Sequence, residues 1–341
     1  MFRKILRGAG WCALALLVLA GCGYARYLSF DLDQAPKANP HATVAGLDYM
    51  QHKVGDQRGR ILAVVSSTAR MDGGKKKAGY ELSELARAYY VFMANGYQVD
   101  IASPAGGTAP MRIDKDDLGD TDYAFLNDAA AKAKVSATLR LADVDPAGYA
   151  AVYFVGGKGA MFDFPGNPDV GRIVAAIAPK GVVGAVCHGP AALAGQPALA
   201  GKRMTGFSNA EEFFLRKDAD KLYPFLLQDK IGAGYASGPL FLDHTVVDGR
   251  VITGQNPWST WSTAEAMIAA LGHTPVVREV TGEESSVRLI AAYYRSGMDA
   301  ARAEQAALPR FDKMLVLLHA LIAGMEWRPL DAFNLQRLAN R

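Results

Sequence analysis

The chain has 341 residues, 50% of them hydrophobic, and a formal net charge of +3 at pH 7. A chain of this length and apolar content can bury a core without disulfide bonds. The small net charge argues against the clustered basic surface that nucleic-acid binding requires, so no nucleic acid is expected among its partners.

The first 22 residues have the composition of a secretion signal. Basic residues precede an apolar run over residues 11–20, which is too short to span a bilayer. The ending Leu19-Ala-Gly-Cys22 resembles the bacterial lipoprotein signal, which implies that residues 1–21 are removed and that Cys22 is lipidated. The expected location is the bacterial cell envelope, outside the cytoplasm, with the membrane contacted through a lipid anchor. An ordinary secretion signal with an incidental cysteine is the alternative.

The segment that follows is predicted to be a connection rather than a domain. Residues 22–58 are polar and interrupted by proline and glycine, which indicates a tether and a strap lying on the core. Removal of residues 1–21 leaves 34 basic and 34 acidic residues, so the mature chain is formally neutral. Cys187 is then the one thiol of the folded part, and no intramolecular disulfide is available to it.

Residues 59–274 alternate predicted strands with predicted helices. Strands are indicated at residues 60–65, 98–102, 151–155 and 182–186, helices at 81–95, 168–178 and 259–271, and a hairpin at 246–254. This alternation predicts an α/β domain with a doubly wound, flavodoxin-like parallel sheet and helices on both faces.

Residues 275–341 are predicted to form a C-terminal helical extension. Two helices are indicated, at residues 285–306 and 311–325, separated by Pro309. The apolar run at residues 314–322 is too short to cross a bilayer. It is expected to pack on the core or against another subunit of a homo-oligomer, and the sequence does not choose between the two.

Cys187 is the strongest candidate for chemistry. It lies between the buried strand at residues 182–186 and the dipeptide Gly189-Pro190, which favours a helix start. Ala185 and Gly189 are small, as a sharp nucleophile elbow requires. The amide groups of a helix N-terminus would lower the pKa of the thiol and favour the thiolate. We therefore expect a reactive nucleophile rather than an inert buried cysteine.

Four segments carry a family resemblance. They are residues 101–107, 155–165, 185–190 (Ala-Val-Cys-His-Gly-Pro) and 252–257 (Ile-Thr-Gly-Gln-Asn-Pro). Together they resemble the ThiJ/PfpI family of class I glutamine-amidotransferase-like proteins, and within it the heat-shock chaperone and glyoxalase III branch. The resemblance spans roughly residues 60–272 and does not extend to the tether or the helical extension. It implies a cofactor-free cysteine enzyme acting on a small aldehyde or amide.

The resemblance also implies roles for four further residues. A glutamate near the start of the first helix hydrogen-bonds the cysteine in that branch, and Glu84 matches it, with Glu81 as the competitor. The His188 side chain would pair with the thiolate and be oriented by Glu212. Instead of this role or together with it, the backbone N–H groups of His188 and Gly157 would form an oxyanion hole. The backbone role is physically safer, since adjacent side chains on a sharp turn tend to diverge.

The strip Gly156-Gly157-Lys158 completes the predicted oxyanion and substrate-binding site. Family members often carry histidine where this chain has Lys158. An ammonium there would lower the thiol pKa further, attract a carboxylate, or face solvent.

No late histidine is followed two positions later by the glutamate that a glutaminase uses, so glutaminase activity is not expected. Metal-ligand spacing is also missing from the mature sequence, and no metal or other cofactor is expected.

The resemblance, together with these residues, implies three alternative functions. The first is conversion of a 2-oxoaldehyde such as methylglyoxal to a 2-hydroxy acid, D-lactate, through a thiohemiacetal and an enediol. The second is cleavage of amide bonds by the same thiol, as a cysteine amidase, peptidase or protein deglycase. The third is non-enzymatic, a membrane-tethered stress chaperone or thiol redox sensor.

Overall fold

The computed structural model describes residues 37–55, 57–114 and 118–340, together with residues 21, 23–26, 28–30 and 32. Residues 1–20 of the predicted leader and the predicted lipidation site Cys22 lie outside this set. The chain divides into two compact units. The larger is Ala38–Glu279, and the smaller combines Val280–Arg341 with the segment that precedes Ala38.

A seven-stranded sheet forms the centre of the larger unit. Its strands are β1 (Arg60–Val64), β2 (Gln98–Ser103), β3 (Leu139–Arg140), β4 (Ala151–Phe154), β5 (Val182–Val186), β6 (Thr245–Asp248) and β7 (Val251–Gly254). Their order across the sheet is β6-β7-β5-β4-β1-β2-β3, and only β6 is antiparallel to its neighbour. The predicted doubly wound parallel sheet and the predicted hairpin of β6 and β7 are confirmed.

Helices cover both faces of this sheet. In chain order they are α1 (Asp48–Gln51), α2 (Leu82–Ala94), α3 (Asp120–Asn127), α4 (Ala129–Ser136), α5 (Ala160–Asp163), α6 (Pro168–Ile177), α7 (Asn209–Leu215), α8 (Ala219–Leu222), α9 (Leu227–Ile231) and α10 (Thr260–Ala270). On one face, Val64 and Val152 belong to a buried apolar cluster with Val174 of α6. On the other, the ring of Tyr153 meets that of Phe92 from α2, with centroids 5.6 Å apart.

The carboxyl edge of this sheet is where the fold concentrates candidate residues. The strand order reverses at β1, which has β2 on one side and β4 on the other, and α/β proteins bind ligands beyond the strand ends at such a point. Phe154 of β4 is paired with Ala185 of β5. Gly156 and Cys187 each come two residues later, so both lie at this edge.

The smaller unit contains three helices after residue 280. They are α11 (Gly282–Ala307), interrupted at Gly297, α12 (Lys313–Met325) and α13 (Pro329–Ala339). The first two confirm the predicted pair, whereas α13 was not predicted. None of the described helices combines the length and the hydrophobicity needed to cross a membrane.

Candidate active site

Cys187 lies directly after β5, on a turn with left-handed backbone (φ 57). A residue with a side chain is strained in this region, and such strain is typical of a nucleophile elbow. Two hydrogen bonds hold the turn: the Cys187 N–H donates to the Gly254 carbonyl at 3.0 Å, and the Phe207 N–H donates to the Cys187 carbonyl at 2.8 Å. The predicted sharp turn is confirmed.

The predicted helix after this turn is wrong. The chain forms only a four-residue 3-10 helix, Gly189–Ala192, and reaches a left-handed glycine at Gly195. So short an element aligns few amide dipoles toward the sulfur.

The predicted lowering of the thiol pKa is wrong as well. Burial of Cys187 and the neighbouring Glu84 carboxylate raise the pKa of the thiol well above its usual range, although the N–H of Gly157 donates to the sulfur and acts in the opposite direction. The resting site therefore favours the thiol over the thiolate.

Glu84, rather than Glu81, is the glutamate that meets Cys187. It lies in the first turn of α2 with 1% of its surface exposed, and the thiol donates a hydrogen bond to its carboxylate. Gly156 makes room for this pair, since a Cβ there would overlap the Glu84 carboxylate and lie 2.9 Å from the Cys187 Cβ. Glu81 is the partly exposed N-cap residue of α2, and its backbone pairs with Arg112.

The His188 side chain connects Cys187 to Glu212. Its Nδ1 lies 3.3 Å from the Cys187 Sγ, and its Nε2 lies 2.7 Å from the Glu212 Oε1. All three residues are buried, and the ring of Phe207 stacks on the imidazole with centroids 4.8 Å apart. The expectation that the two adjacent side chains diverge is wrong, because the left-handed backbone at Cys187 turns the imidazole back toward the sulfur.

Glu211, which the sequence analysis did not single out, is the buried acid that holds this region together. Its Oε2 accepts hydrogen bonds from the N–H and hydroxyl of Ser208, and its Oε1 accepts from the Phe241 N–H, Gln255 and Asn256, all within 2.8 to 3.1 Å. These bonds fix the start of α7, which carries Glu212. Gln255 and Asn256 belong to the segment at residues 252–257, whose chemical role was not apparent from the sequence.

The Gly156-Gly157-Lys158 strip follows β4 at the same edge. Gly157 has φ +90, and a Cβ there would lie 2.6 Å from the Gly79 carbonyl oxygen, so this close approach requires glycine. Lys158 is half-buried, and burial lowers the pKa of its ammonium, with the charges of Arg216 and Arg112 acting in the same direction. Within the described ranges, no group of His, Cys, Asp and Glu side chains is arranged to hold a metal ion.

The adjacent acids Glu211 and Glu212 are expected to respond differently to the same substitution. Donor groups face both carboxylate oxygens of Glu211, and Glu211→Gln would place an amide N–H against some of these donors. We therefore expect a loss of about 3 kcal/mol in the free energy of unfolding. Glu212→Gln keeps the shape beside His188 and removes its charged partner, so we expect kcat to fall about 10- to 100-fold with stability nearly unchanged. Thermal unfolding and steady-state kinetics of both variants separate the roles; equal effects on stability would contradict them.

Known proteins resemble the larger unit of this chain. The sequence model of the DJ-1/PfpI family matches residues 76–270, more than half of the chain and ending before the C-terminal helices. Glyoxalase 3 of Candida albicans is 32% identical over 229 residues, covering 62% of this chain and 97% of that protein. Glutathione-independent glyoxalase HSP31 of Saccharomyces cerevisiae is 32% identical over 230 residues, with the same two coverages. The crystal structure of glyoxalase III from Candida albicans aligns with a TM-score of 0.55 at 30% identity, over 63% of this chain and 98% of that one.

Proposed function

Because the chain belongs to the DJ-1/PfpI family, we propose that it is a glyoxalase III-type enzyme that converts methylglyoxal or a similar 2-oxoaldehyde to a 2-hydroxy acid without glutathione. The observation that carries this proposal is the Cys187 thiol hydrogen-bonded to the buried Glu84 carboxylate on a strained turn. The relatives named as glyoxalases match nearly their full length to this chain, which supports the same assignment.

The first step uses the proton that Cys187 and Glu84 share. Glu84 takes the thiol proton as the sulfur attacks the aldehyde carbon. A free thiolate, which the raised pKa of the thiol disfavours, therefore does not have to form before the S–C bond. The aldehyde oxygen becomes an alkoxide, which the Gly157 and His188 N–H groups stabilise and which then takes the proton from Glu84, so that Glu84 is again a carboxylate. The product of this step is a thiohemiacetal.

The later steps move protons between two neighbouring carbons and their oxygens and add one water. A base, Glu84 or His188, removes the proton from the carbon bonded to sulfur while the neighbouring ketone oxygen is protonated, which gives an enediol. The neighbouring carbon then gains a proton, and the hydroxyl on the carbon bonded to sulfur loses one. The result is a thioester of the 2-hydroxy acid. Water attacks its carbonyl, the C–S bond breaks and the thiol regains its proton. One carbon is oxidised and its neighbour reduced, so substrate and water supply every atom and no cofactor is required.

Burial of the site favours a small substrate over the amide alternatives. Only 4% of the Cys187 surface and 4% of the His188 surface are exposed. A three-carbon aldehyde can reach such a sulfur more readily than a peptide bond or a glycated side chain on a folded protein. For this reason we place the oxoaldehyde reaction ahead of amidase, peptidase and deglycase activity.

The decisive assay supplies the purified full chain with methylglyoxal in the absence of glutathione. We expect stoichiometric D-lactate, measured with a stereospecific lactate dehydrogenase. The same preparation is offered an unmodified peptide and a glycated amino acid, with released amine as the readout. Amine release without lactate would transfer the assignment to the amide-cleaving class, and absence of both products would leave the chaperone or sensor functions.

We also propose that Cys22 becomes the lipidated N-terminus and that the enzyme is held at the cell envelope outside the cytoplasm. Support comes from the basic start, the short apolar run and the Leu19-Ala-Gly-Cys22 ending. The mass of the N-terminal peptide of the mature protein, with or without acyl chains on Cys22, tests this part separately from catalysis.

A further inference from the structure

Exposed apolar side chains are concentrated in the smaller unit. Of the fourteen large apolar side chains exposed among the described residues, eight belong to this unit. Two of them, Tyr24 and Leu28, lie one helical turn apart near the N-terminus. The other six form what we call the tail ridge: Met314, Leu321, Met325, Trp327, Leu330 and Phe333. Trp327 is 91% exposed and Leu330 is 77% exposed, which is unusual for side chains of this size.

The ridge residues lie on two consecutive helices and in the turn between them. Met314, Leu321 and Met325 are spaced by seven and four residues, so they lie on one face of α12. Trp327 is in the turn after α12, and Leu330 and Phe333 are three residues apart on α13. Residues 314–325 contain no charged side chain, so α12 is apolar on its exposed face as well as on its buried one. A helix that is hydrophobic all round requires a cover.

The position of the N-terminal segment indicates what that cover is. The Lys313 ammonium, at the start of α12, donates to the Phe30 carbonyl at 2.9 Å. Cys22 is eight residues before Phe30, so even a fully extended chain keeps it within about 29 Å of that carbonyl. Acyl chains on Cys22 would therefore enter the bilayer within this distance of the start of α12.

We propose that the tail ridge lies in the headgroup region of the membrane that holds Cys22, so that anchor and ridge bind the same bilayer surface. This inference rests on the lipid anchor proposed above. Tryptophan is enriched at membrane–water interfaces, and the apolar face of an interfacial helix is buried about 5–10 Å into the headgroup boundary. Trp327 and the other apolar side chains of the ridge have this composition, and the neighbours of Trp327 in the sequence, Glu326 and Arg328, form an ion pair with each other.

The test follows the fluorescence of Trp327 in the full chain. Protein purified from membranes is reconstituted into phosphatidylcholine vesicles with and without brominated acyl chains, and Trp327→Phe supplies the background from the other tryptophans. We expect brominated lipid to quench the Trp327 signal and aqueous acrylamide not to reach it. Quenching by acrylamide alone would show the ridge in water, and protection from both quenchers would show it covered by protein, such as a second copy; either result overturns the proposal.

Charged variants provide the matched comparison. Leu321→Glu combined with Leu330→Glu is expected to abolish quenching by brominated lipid, since two carboxylates would hold the ridge in water. Val277→Glu changes an apolar residue that is 84% exposed in the larger unit, and quenching should persist. Persistence in the double variant would contradict the inference.

Two further readouts separate this inference from the proposals beneath it. The mass of the N-terminal peptide reports whether Cys22 is acylated. If Cys22 is unmodified and brominated lipid still quenches Trp327, the proposed anchor is wrong and the membrane contact of the ridge stands. If Cys22 is unmodified and the chain does not bind vesicles, both proposals are wrong. Methylglyoxal turnover should be the same in the double variant and in the unsubstituted chain, because the ridge residues are not part of the active site. The quenching experiment does not depend on turnover, so a failed glyoxalase assay would not affect its result.

Discussion

Replacing Cys187 with alanine is expected to reduce D-lactate formation from methylglyoxal by at least about a thousandfold. The sulfur is the atom that bonds to the substrate in every intermediate, and neither His188 nor Glu84 can substitute for it. Steady-state turnover at saturating methylglyoxal measures the loss, with the reaction in buffer alone as the baseline.

The fold of this variant should be intact, which makes the loss interpretable. Alanine keeps a Cβ at the left-handed position, so the backbone strain of the turn is unchanged, and the bonds to Gly254 and Phe207 involve only main-chain atoms. Thermal unfolding should therefore resemble that of the unsubstituted protein. Turnover within tenfold of the original, in a folded variant, would rule out the covalent mechanism.

Glu84→Gln is expected to move catalysis and thiol ionisation in opposite directions. Glutamine keeps the shape of Glu84 but cannot exchange a proton, so kcat should fall about 10²- to 10⁴-fold. The negative charge of Glu84 and the hydrogen bond that its carboxylate accepts both raise the pKa of the Cys187 thiol, so removing them lowers that pKa. The variant should therefore be alkylated faster by iodoacetamide at neutral pH, and its alkylation profile should shift toward lower pH.

Glu81→Gln is the matched control for this experiment. Glu81 is three residues away in the sequence and partly exposed at the start of α2, so turnover and alkylation should both stay near their original values. If Glu84→Gln left the alkylation profile in place, the charge of Glu84 would not govern the thiol. If Glu81→Gln reduced kcat as strongly as Glu84→Gln, the proton-transfer role would not be specific to Glu84.

The fold was accessible from the sequence wherever apolar periodicity was strong. The strands β1, β2, β4 and β5 are short and almost wholly buried, and α2 and α6 carry clear apolar faces, so each was predicted nearly at its observed bounds. The helices α3 and α4 were missed because each has only eight residues, and α4 buries only Ala131 and Val135, so neither has a long apolar periodicity. The helix expected after Cys187 begins at Gly189 but forms only one short 3-10 turn, and the left-handed Gly195 prevents its continuation.

The site was only partly accessible in the same way. The small residues around Cys187 predicted the turn, but the pKa of its thiol depends on burial and on Glu84, which no local pattern encodes. The contact between His188 and Glu212 requires the left-handed backbone at Cys187, a tertiary feature. Glu211 had a usable signal: Ser208-Asn-Ala-Glu211 has the spacing of a capping box, and the structure contains one.

Heat resistance and detoxification make opposite demands on residue 187. The left-handed backbone there costs roughly 1–2 kcal/mol for any residue with a Cβ, and glycine avoids that cost. Glycine would also remove a buried side chain and add conformational freedom to the unfolded chain, which offsets much of the gain. The substitution that relieves the strain is also the one that deletes the nucleophile, so the protein cannot keep its chemistry and lose the strain together.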